Sequence, residues 1–258
     1  MHWILTVPDR FSLPHIIRHS LACEQFKLLQ PPFSVHRGME HLHRVERLQS
    51  GNTVDLTLSQ TPAGLILRTK ERLTGTETEE ISQKTRRMLR LEEHVQPFSG
   101  IAHRTPGPEK GALHGEHLLR GATFFEDVIK AIILTHETKA EQGQRITWIV
   151  DRFGDPLPSN PTRHAFPTPQ QLFWGHRIVS DMFPPPIAGR LIQAAEKFCA
   201  TAEEIEALSC ETFPTDVLAA ELVQLFDFEP ETLGLVMLSL GRYDYIPATP
   251  CMQPNPTD

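Results

Sequence analysis

Two groups of residues in this sequence have types and spacings that could support chemistry. The first is a set of histidines near the amino terminus, namely His15, His19, His36, His41 and His43. A zinc site needs further ligands in a defined geometry, and the proline before His15 leaves open whether His15 and His19 share one face of a helix. We therefore expect solvated or capping histidines, no metal site and no cofactor.

The second group is a run of carboxylates near the carboxyl terminus. Asp227, Glu229 and Glu231 lie within five residues, and Phe228 separates the first two. Acidic side chains are favourable in the first turn of a helix, which gives Asp227 and Glu229 a structural explanation. Asp244, which follows in the sequence GRYD, fits a turn or capping residue.

The elements that position these residues differ between the two halves of the chain. From residue 33 to about 73 apolar and polar residues alternate, as at Val54, Leu56 and Leu58, and a Pro-Ala-Gly turn interrupts the pattern. Such alternation predicts antiparallel strands with one face packed on a core and the other exposed to solvent. Residues 77–91 then have acids early and bases late, which predicts a helix.

After a Pro- and Gly-rich stretch at 102–116 the apolar period becomes helical. Helices are predicted around 124–133 and 146–153, after the prolines at 184–186, and over 216–226 and 231–240, with a proline-rich loop at 155–169. The fold class is therefore α+β, an antiparallel sheet with a helix followed by an all-helical domain. The expected divisions are an α+β domain at 1–101, a linker at 102–116, a helical domain at 117–246 and a Pro-rich tail at 247–258.

Charge and cysteine content limit the functions that the protein can have. The 258 residues carry a net charge of −7, but residues 1–120 hold 16 Lys and Arg against 13 Asp and Glu, and the remainder holds 9 against 19. An acidic surface repels phosphates, so the second half is a poor nucleic-acid binder. Four dispersed cysteines indicate reduced thiols and a cytoplasmic location, and no segment is typical of a signal peptide or membrane span.

The segment from Leu222 to Pro250 joins two helical patterns by a link of four residues, which predicts a helix-hairpin-helix unit. It resembles the signature of helix-hairpin-helix DNA glycosylases of the 3-methyladenine and 8-oxoguanine type. The matching residues are Leu222, Leu225, Pro230, Thr232, Leu238, Leu240, the GRYD run at 241–244 and Pro247. Upstream, FFEDVIKAI at 124–132, RFG at 152–154 and FPTP at 166–169 are similar to further family motifs in the same order.

The resemblance implies a glycine-rich hairpin that holds a DNA phosphate, a flipped base between two domains and a catalytic aspartate after the hairpin. This chain departs from each hairpin feature. Asp227, Phe228 and Glu229 replace the Gly-Val-Gly of the family, Glu231 replaces the Schiff-base lysine of bifunctional members, and Thr249 stands at the position of the catalytic aspartate. The family's closing helices are also expected to be missing.

Further polar and aromatic residues fall at positions of interest in such a protein. His136 and Glu137 lie where the resemblance places residues that contact the opposite DNA strand, but we expect a polar pair at a helix end. Trp148, Phe173 and Trp174 could line a base pocket, although aromatic residues at helical spacing are more often core residues.

Two functions follow from the resemblance and its departures. The first is a DNA-glycosylase-like protein related to base excision repair that is catalytically degenerate. The alternative is an active DNA N-glycosylase for alkylated or oxidised bases, in which another residue, such as Asp244, supplies the charge. Double-stranded DNA is the expected partner only if the family function is retained, and no membrane partner is expected. An unrelated helical signalling or scaffold module has no motif in its favour.

Overall fold

The structure is a computed structural model that describes residues 1–9, 11–22, 31–35, 41–92, 119–209, 213–242 and 245. The first half contains β1 (His2–Leu5), α1 (Leu13–Ala22), β2 (Phe33–Val35), β3 (His41–Arg47), β4 (Thr53–Thr61), β5 (Gly64–Arg68) and α2 (Gly75–Leu89). The second half contains α3 (Phe124–His136), α4 (Lys139–Phe153), β6 (Pro156–Leu157), β7 (Asn160–His164), α5 (Pro169–Trp174), α6 (His176–Met182), α7 (Pro185–Leu208), α8 (Thr215–Phe226) and α9 (Pro230–Ser239).

The first five strands form one antiparallel sheet in the order β1-β5-β4-β3-β2. Their alternating leucines face one core, in which Leu42 lies opposite Leu58 and Leu58 lies opposite Leu67. Helix α2 covers this face with Ile81 and Met88, and α1 contributes Leu13, Ile16 and Ile17. The α+β class and the antiparallel sheet, both predicted from alternation, are confirmed.

A second core is built around α3, whose residues from Phe124 to Leu134 are all buried. A helix that is buried on every side belongs inside a bundle, and α3 contacts α4, α7 and α9. Aromatic rings continue this core toward the end of α8, because Phe125 meets Phe198 at 5.2 Å and Phe198 meets Phe226 at 5.7 Å between ring centroids. In the described part of the chain, no helix is long and apolar enough to span a membrane.

The second half is not all-helical, which corrects the expectation of a proline-rich loop at 155–169. Strands β6 and β7 form a two-stranded antiparallel hairpin there. The pairing survives the prolines because Pro156 is the first residue of its strand, a position that tolerates a missing N–H. Leu157 is buried against Val45 of the large sheet, and Arg163 forms an ion pair with Asp55 at 2.8 Å. The hairpin therefore joins the sheet to the helices.

Buried ion pairs connect the two cores. Arg44 of β3 donates two hydrogen bonds to Glu126 of α3, at 3.0 and 2.6 Å, and Lys130 donates to the same carboxylate at 2.7 Å. Burial alone would raise the pKa of the Glu126 carboxyl, but Arg44 and Lys130 outweigh it and hold this pKa well below its usual range. The carboxylate is therefore ionised throughout the neutral range, and the sheet and the helices meet at a fixed charge cluster.

Candidate functional site

The link between α8 and α9 has the backbone of a tight helical hairpin. Asp227 ends α8 in the left-handed region, with φ 51° and ψ 45°, and its N–H donates to the Val223 carbonyl at 2.8 Å. Glycine usually fills such a position because a Cβ atom is strained there, but aspartate tolerates it better than most residues. Glu229 is the N-cap of α9 and Pro230 begins that helix, where its missing N–H costs nothing.

Phe228 fixes the link to the helical core. Its side chain is buried and stacks on Phe226, with ring centroids 4.9 Å apart and planes 13° from parallel. Asp227 and Glu229, on either side of it, are exposed. The link therefore turns its aromatic residue inward and its two carboxylates outward.

An arginine from another helix closes over these carboxylates. Arg190 of α7 forms an ion pair with Glu229 and also donates to the Asp227 carbonyl at 3.2 Å. On the other side, Nε2 of His136 lies 3.6 Å from Oε2 of Glu229. Glu229 is thus held between an arginine and a histidine at the start of α9. Nothing in the sequence indicated Arg190, which lies 39 positions from its partner.

The first turn of α9 adds polar contacts. Glu231 is exposed there, and Thr232 is buried with its Oγ1 2.8 Å from Oγ1 of Thr135 in α3. Acidic side chains near the start of a helix complement the positive end of its dipole. The amino terminus of α9 already has carboxylates of this chain beside it, so the local field is unfavourable for a further anion such as a phosphate.

His136 and Glu137 behave as the helix-end polar pair that the sequence indicated. His136 is the last residue of α3 and Glu137 follows as its C-cap. The Glu137 carboxylate is buried and lies 3.2 Å from Nε of Arg145 in α4. Glu137 therefore stabilises the turn between α3 and α4 and is not directed toward solvent.

Behind the hairpin, α9 meets the end of α2 around a cavity of only about 30 Å³. Arg90 fills much of the space and donates to the carbonyls of Leu238 and Ser239 at 2.9 and 2.6 Å. Lys130 also lines it, and burial lowers the pKa of this lysine although Glu126 opposes the shift. A cavity of this size holds about one water molecule, so no base fits there in this arrangement.

Several residues singled out in the sequence do not contribute to this site. Thr249, Asp244, the linker at 102–116 and the tail at 247–258 lie outside the described residues. His15 lies on α1, and within the described residues no group of three or more His, Cys, Asp or Glu side chains could hold a metal ion. Trp148 and Phe173 pack against the helical core, but Trp174 is 77% exposed, which contradicts a core position.

Comparison with known proteins supports the fold and leaves the sequence without a match. No protein-family model matches the chain, and no curated protein is significantly similar in sequence. Among solved structures, a 3-methyladenine DNA-glycosylase from Archaeoglobus fulgidus aligns with a TM-score of 0.64 and 17% identity, over 93% of this chain and 79% of that chain.

A second enzyme, the 8-oxoguanine glycosylase/lyase of Clostridium acetobutylicum, is similar in two states. Its apo form aligns with a TM-score of 0.55 at 15% identity, over 84% of this chain and 83% of that one. Its complex with double-stranded DNA containing cytosine opposite 8-oxoG aligns with a TM-score of 0.56 at 15% identity, over 86% and 83%. The order of the elements, the hairpin and these alignments agree: the chain has the fold of the 3-methyladenine and 8-oxoguanine DNA glycosylases.

Proposed function

We propose that this chain is a DNA-glycosylase-like protein related to base excision repair that does not excise bases. The observation that carries the proposal is the ion pair between Glu229 and Arg190 at the hairpin. The two carboxylates of the link are exposed, and the arginine that could have met a phosphate is bound to one of them. The division into an α+β domain and a helical domain is part of the same proposal.

Electrostatics supports weak binding of duplex DNA at the hairpin. Phosphate contacts supply nearly all of non-specific DNA affinity, and close approach of the backbone to a phosphate normally relies on small residues. Asp227, Glu229 and Glu231 bring three carboxylates to this point instead, and Glu229 is held there by Arg190. A phosphate would have to approach past these carboxylates, and displace Glu229 from Arg190, to reach the amide groups at the start of α9.

The positions that the family resemblance assigns to catalysis also lack the residues that base excision needs. Thr249 carries no charge to stabilise a developing cation, and Glu231 cannot form a Schiff base. Removing a charge that stabilises a transition state costs about two or more orders of magnitude in rate. The active-glycosylase alternative therefore needs another carboxylate, for which Asp244 is the candidate.

A single-turnover assay tests the proposal. Duplexes containing 3-methyladenine, 7-methylguanine or 8-oxoguanine are incubated with excess protein, and base release is compared with that of an active glycosylase. We expect no release and no nicking of an abasic strand. Binding to a duplex with an abasic-site analogue should be no stronger than that of an acidic control protein at physiological salt. If the duplex instead binds with sub-micromolar affinity, the carboxylates do not oppose binding, and changing Asp227 and Glu229 to glycine should alter that affinity little.

The outcomes separate the two functions. Thr249→Asp alone should not restore base release, because the hairpin still repels the phosphate. Clear release by the wild-type protein that is lost in Asp244→Asn and kept in Thr249→Ala would establish the active alternative and identify Asp244 as its catalyst. Release that survives both changes, or sub-micromolar binding of the abasic duplex, would also overturn the proposal.

A further inference from the structure

Trp174 lies at the carboxyl end of α5 and is the most exposed large apolar side chain in the described part of the protein, at 77%. Tryptophan is rarely left in water to this extent, because its ring has a large apolar area to bury. Tryptophan is enriched at interfaces, because its ring buries a large apolar area while its N–H can meet a polar partner. The local structure indicates which kind of molecule that is.

The backbone beneath Trp174 is rigidly supported. Gly175 joins α5 to α6 and lies so close to Phe153 that a Cβ atom on the glycine would sit 2.2 Å from the ring. Phe153 in turn meets Trp148 edge to face, with ring centroids 5.6 Å apart. The indole of Trp174 is therefore presented from a packed aromatic cluster, so little ordering is needed when it binds a flat partner.

Two exposed arginines without partners lie close in the chain to this cluster. Arg152 immediately precedes Phe153 at the end of α4, and Arg177 follows Trp174 by three residues in α6. Among the described residues, neither guanidinium has a hydrogen bond or ion pair. Arg145, also on α4, is by contrast held by Glu137 and by the Met182 carbonyl. The arginines near Trp174 are thus available for an anionic partner.

The charge of the second half is not evenly distributed. Residues 139–190 contain six Lys and Arg against four Asp and Glu, whereas residues 191–242 contain two against ten. The acidic excess therefore belongs to the part of the sequence that includes the hairpin. The segment that contains Trp174 has a positive balance, but Arg145, Arg163 and Arg190 are paired with Glu137, Asp55 and Glu229 outside it, which leaves Arg152 and Arg177 as its free cations within the described part of the chain. Asp151, which lies 3.6 Å from Nδ1 of His164, adds a negative charge nearby.

An open groove of about 670 Å³ runs along the outer face of α4 and ends at Arg152. Its wall includes Gly143, Thr147 and Trp148 and, beside Arg152, the acidic Asp151. Trp148 packs on Phe153, whose ring lies against Gly175 next to Trp174, and this contact connects the groove to Trp174. The Trp174 face, defined as Trp174, Arg152, Arg177 and this groove, combines an aromatic ring, two cations and an extended depression. These are the elements by which proteins bind a single nucleic-acid strand.

We propose that the Trp174 face binds single-stranded nucleic acid, with a base stacked on Trp174 and phosphates contacted by Arg152 and Arg177. An unpaired base exposes its π-face to an indole, whereas the bases of a duplex are already stacked on each other. The site is separate from the helical hairpin, and the inference does not depend on the absence of glycosylase activity. Stacking tolerates any base, so the ligand class is a single strand without strict sequence preference.

Fluorescence anisotropy with labelled oligo(dT) and oligo(rU) of about 15 nucleotides tests the proposal, since such sites span roughly 4–16 nucleotides. Trp174→Ala should weaken binding by about five-fold or more, which corresponds to the loss of one stacked base. Trp174→Phe should keep most of the affinity, because phenylalanine also stacks. Arg177→Ala should lower the slope of log Kd against log salt by about 0.7, and Trp174→Ala should leave that slope unchanged.

Two matched variants serve as controls. Arg68→Ala removes an exposed arginine of β5 that likewise has no partner among the described residues, and Val223→Ala removes exposed apolar surface from α8. Neither should change the affinity for either oligonucleotide.

Equal affinity of the wild-type protein and Trp174→Ala, no binding at low salt, or an equal loss in Arg68→Ala would overturn the proposal. Competition by a proline decamer at lower concentration than oligo(dT) would also overturn it, because the face would then be a peptide site. The abasic-duplex assay tests the proposal about the helical hairpin and not the proposal about the Trp174 face.

Discussion

At the scale of single residues, Asp227 shows how the hairpin keeps its shape without glycine. Its left-handed backbone is one of two positive-φ conformations outside glycine in the described chain, the other being Arg90. A non-glycine residue in this region is strained by about 1 kcal/mol or more, and aspartate reduces that cost through local hydrogen bonding. The turn therefore forms because Asp227 accepts the left-handed backbone and because the buried Phe228 anchors the link to the helical core.

Substitutions at Asp227 should reveal that strain. Asp227→Gly should leave the free energy of unfolding unchanged or raise it by up to about 1 kcal/mol, because glycine adopts positive φ freely. Asp227→Val should lower it by more than about 1 kcal/mol, since a β-branched residue is disfavoured there. Urea denaturation of both variants measures the difference. Equal stability of the glycine and valine variants would show that the link does not adopt this conformation in solution.

At the scale of elements, the capping box of α2 stabilises the helix that covers the sheet. The Thr74 N–H donates to the Glu77 carboxylate at 2.9 Å, and Ser50 and Asn52 donate to it at 2.7 and 2.8 Å. These donors, with the backbone of Thr74 first, lower the pKa of Glu77 from its usual 4.5 to about 2. A depressed carboxyl pKa contributes stability above the unfolded value, and this contribution is lost as pH falls toward the folded value.

The capping box therefore predicts a pH-dependent difference in Tm. Glu77→Gln should melt at a lower temperature than the wild-type protein at neutral pH, and the gap should narrow as pH falls from about 4.5 toward 2. Calorimetry across this range measures it. Glu79→Gln, at an exposed position of the same helix, is the control and should show little change at any pH. A gap that stays constant down to the lowest pH would contradict the assigned role of Glu77.

The elements that the sequence predicted are those with a long helical or alternating period. Helices α2, α3, α4, α7, α8 and α9 and strands β2 to β5 carry such patterns, whereas β1, α1, α5, α6 and the β6–β7 hairpin were missed. Prolines lie near the starts of α1, α5 and both strands of the β6–β7 hairpin, and a Pro-rich stretch is typical of a loop. In α5 the Thr168–Gln171 capping box was visible in the sequence, so this helix could have been found.

The candidate site was predictable only in part, for a related reason. The link from Asp227 to Pro230 is local, and the sequence located it together with its exposed carboxylates. Arg190 and His136 reach Glu229 from helices that are far away in the chain, and no spacing rule connects them. The exposure of Trp174 was equally hidden, because periodicity indicates which side chains are apolar and not which of them have a neighbour to pack against.

At the scale of the whole molecule, basic residues of the first half form ion pairs with acidic residues of the second half. Arg44, Arg47 and Arg87 of the first half are paired with Glu126, Asp155 and Asp127 of the second half. Arg90 extends these contacts to α9 through the carbonyls of Leu238 and Ser239. The first half of the chain therefore holds α3 and α9 through hydrogen bonds to charged groups, which are among the strongest in proteins. The two cores should for this reason unfold together.

Breaking the central pair should destabilise both cores at once. Glu126→Gln leaves the buried Lys130 without its carboxylate and Arg44 with Glu46 alone, and removing one partner of a buried pair costs about 3–5 kcal/mol. Glu79→Gln, which removes an exposed partner of Arg86, should cost no more than about 1 kcal/mol.

Urea unfolding is followed by fluorescence in two single-tryptophan backgrounds, one keeping Trp3 beside the sheet and the other keeping Trp148 in the helical core. Because the cores are coupled, both probes should report the same midpoint, and Glu126→Gln should lower it equally in both. A shift seen by Trp148 alone would mean that the sheet unfolds independently of the helices.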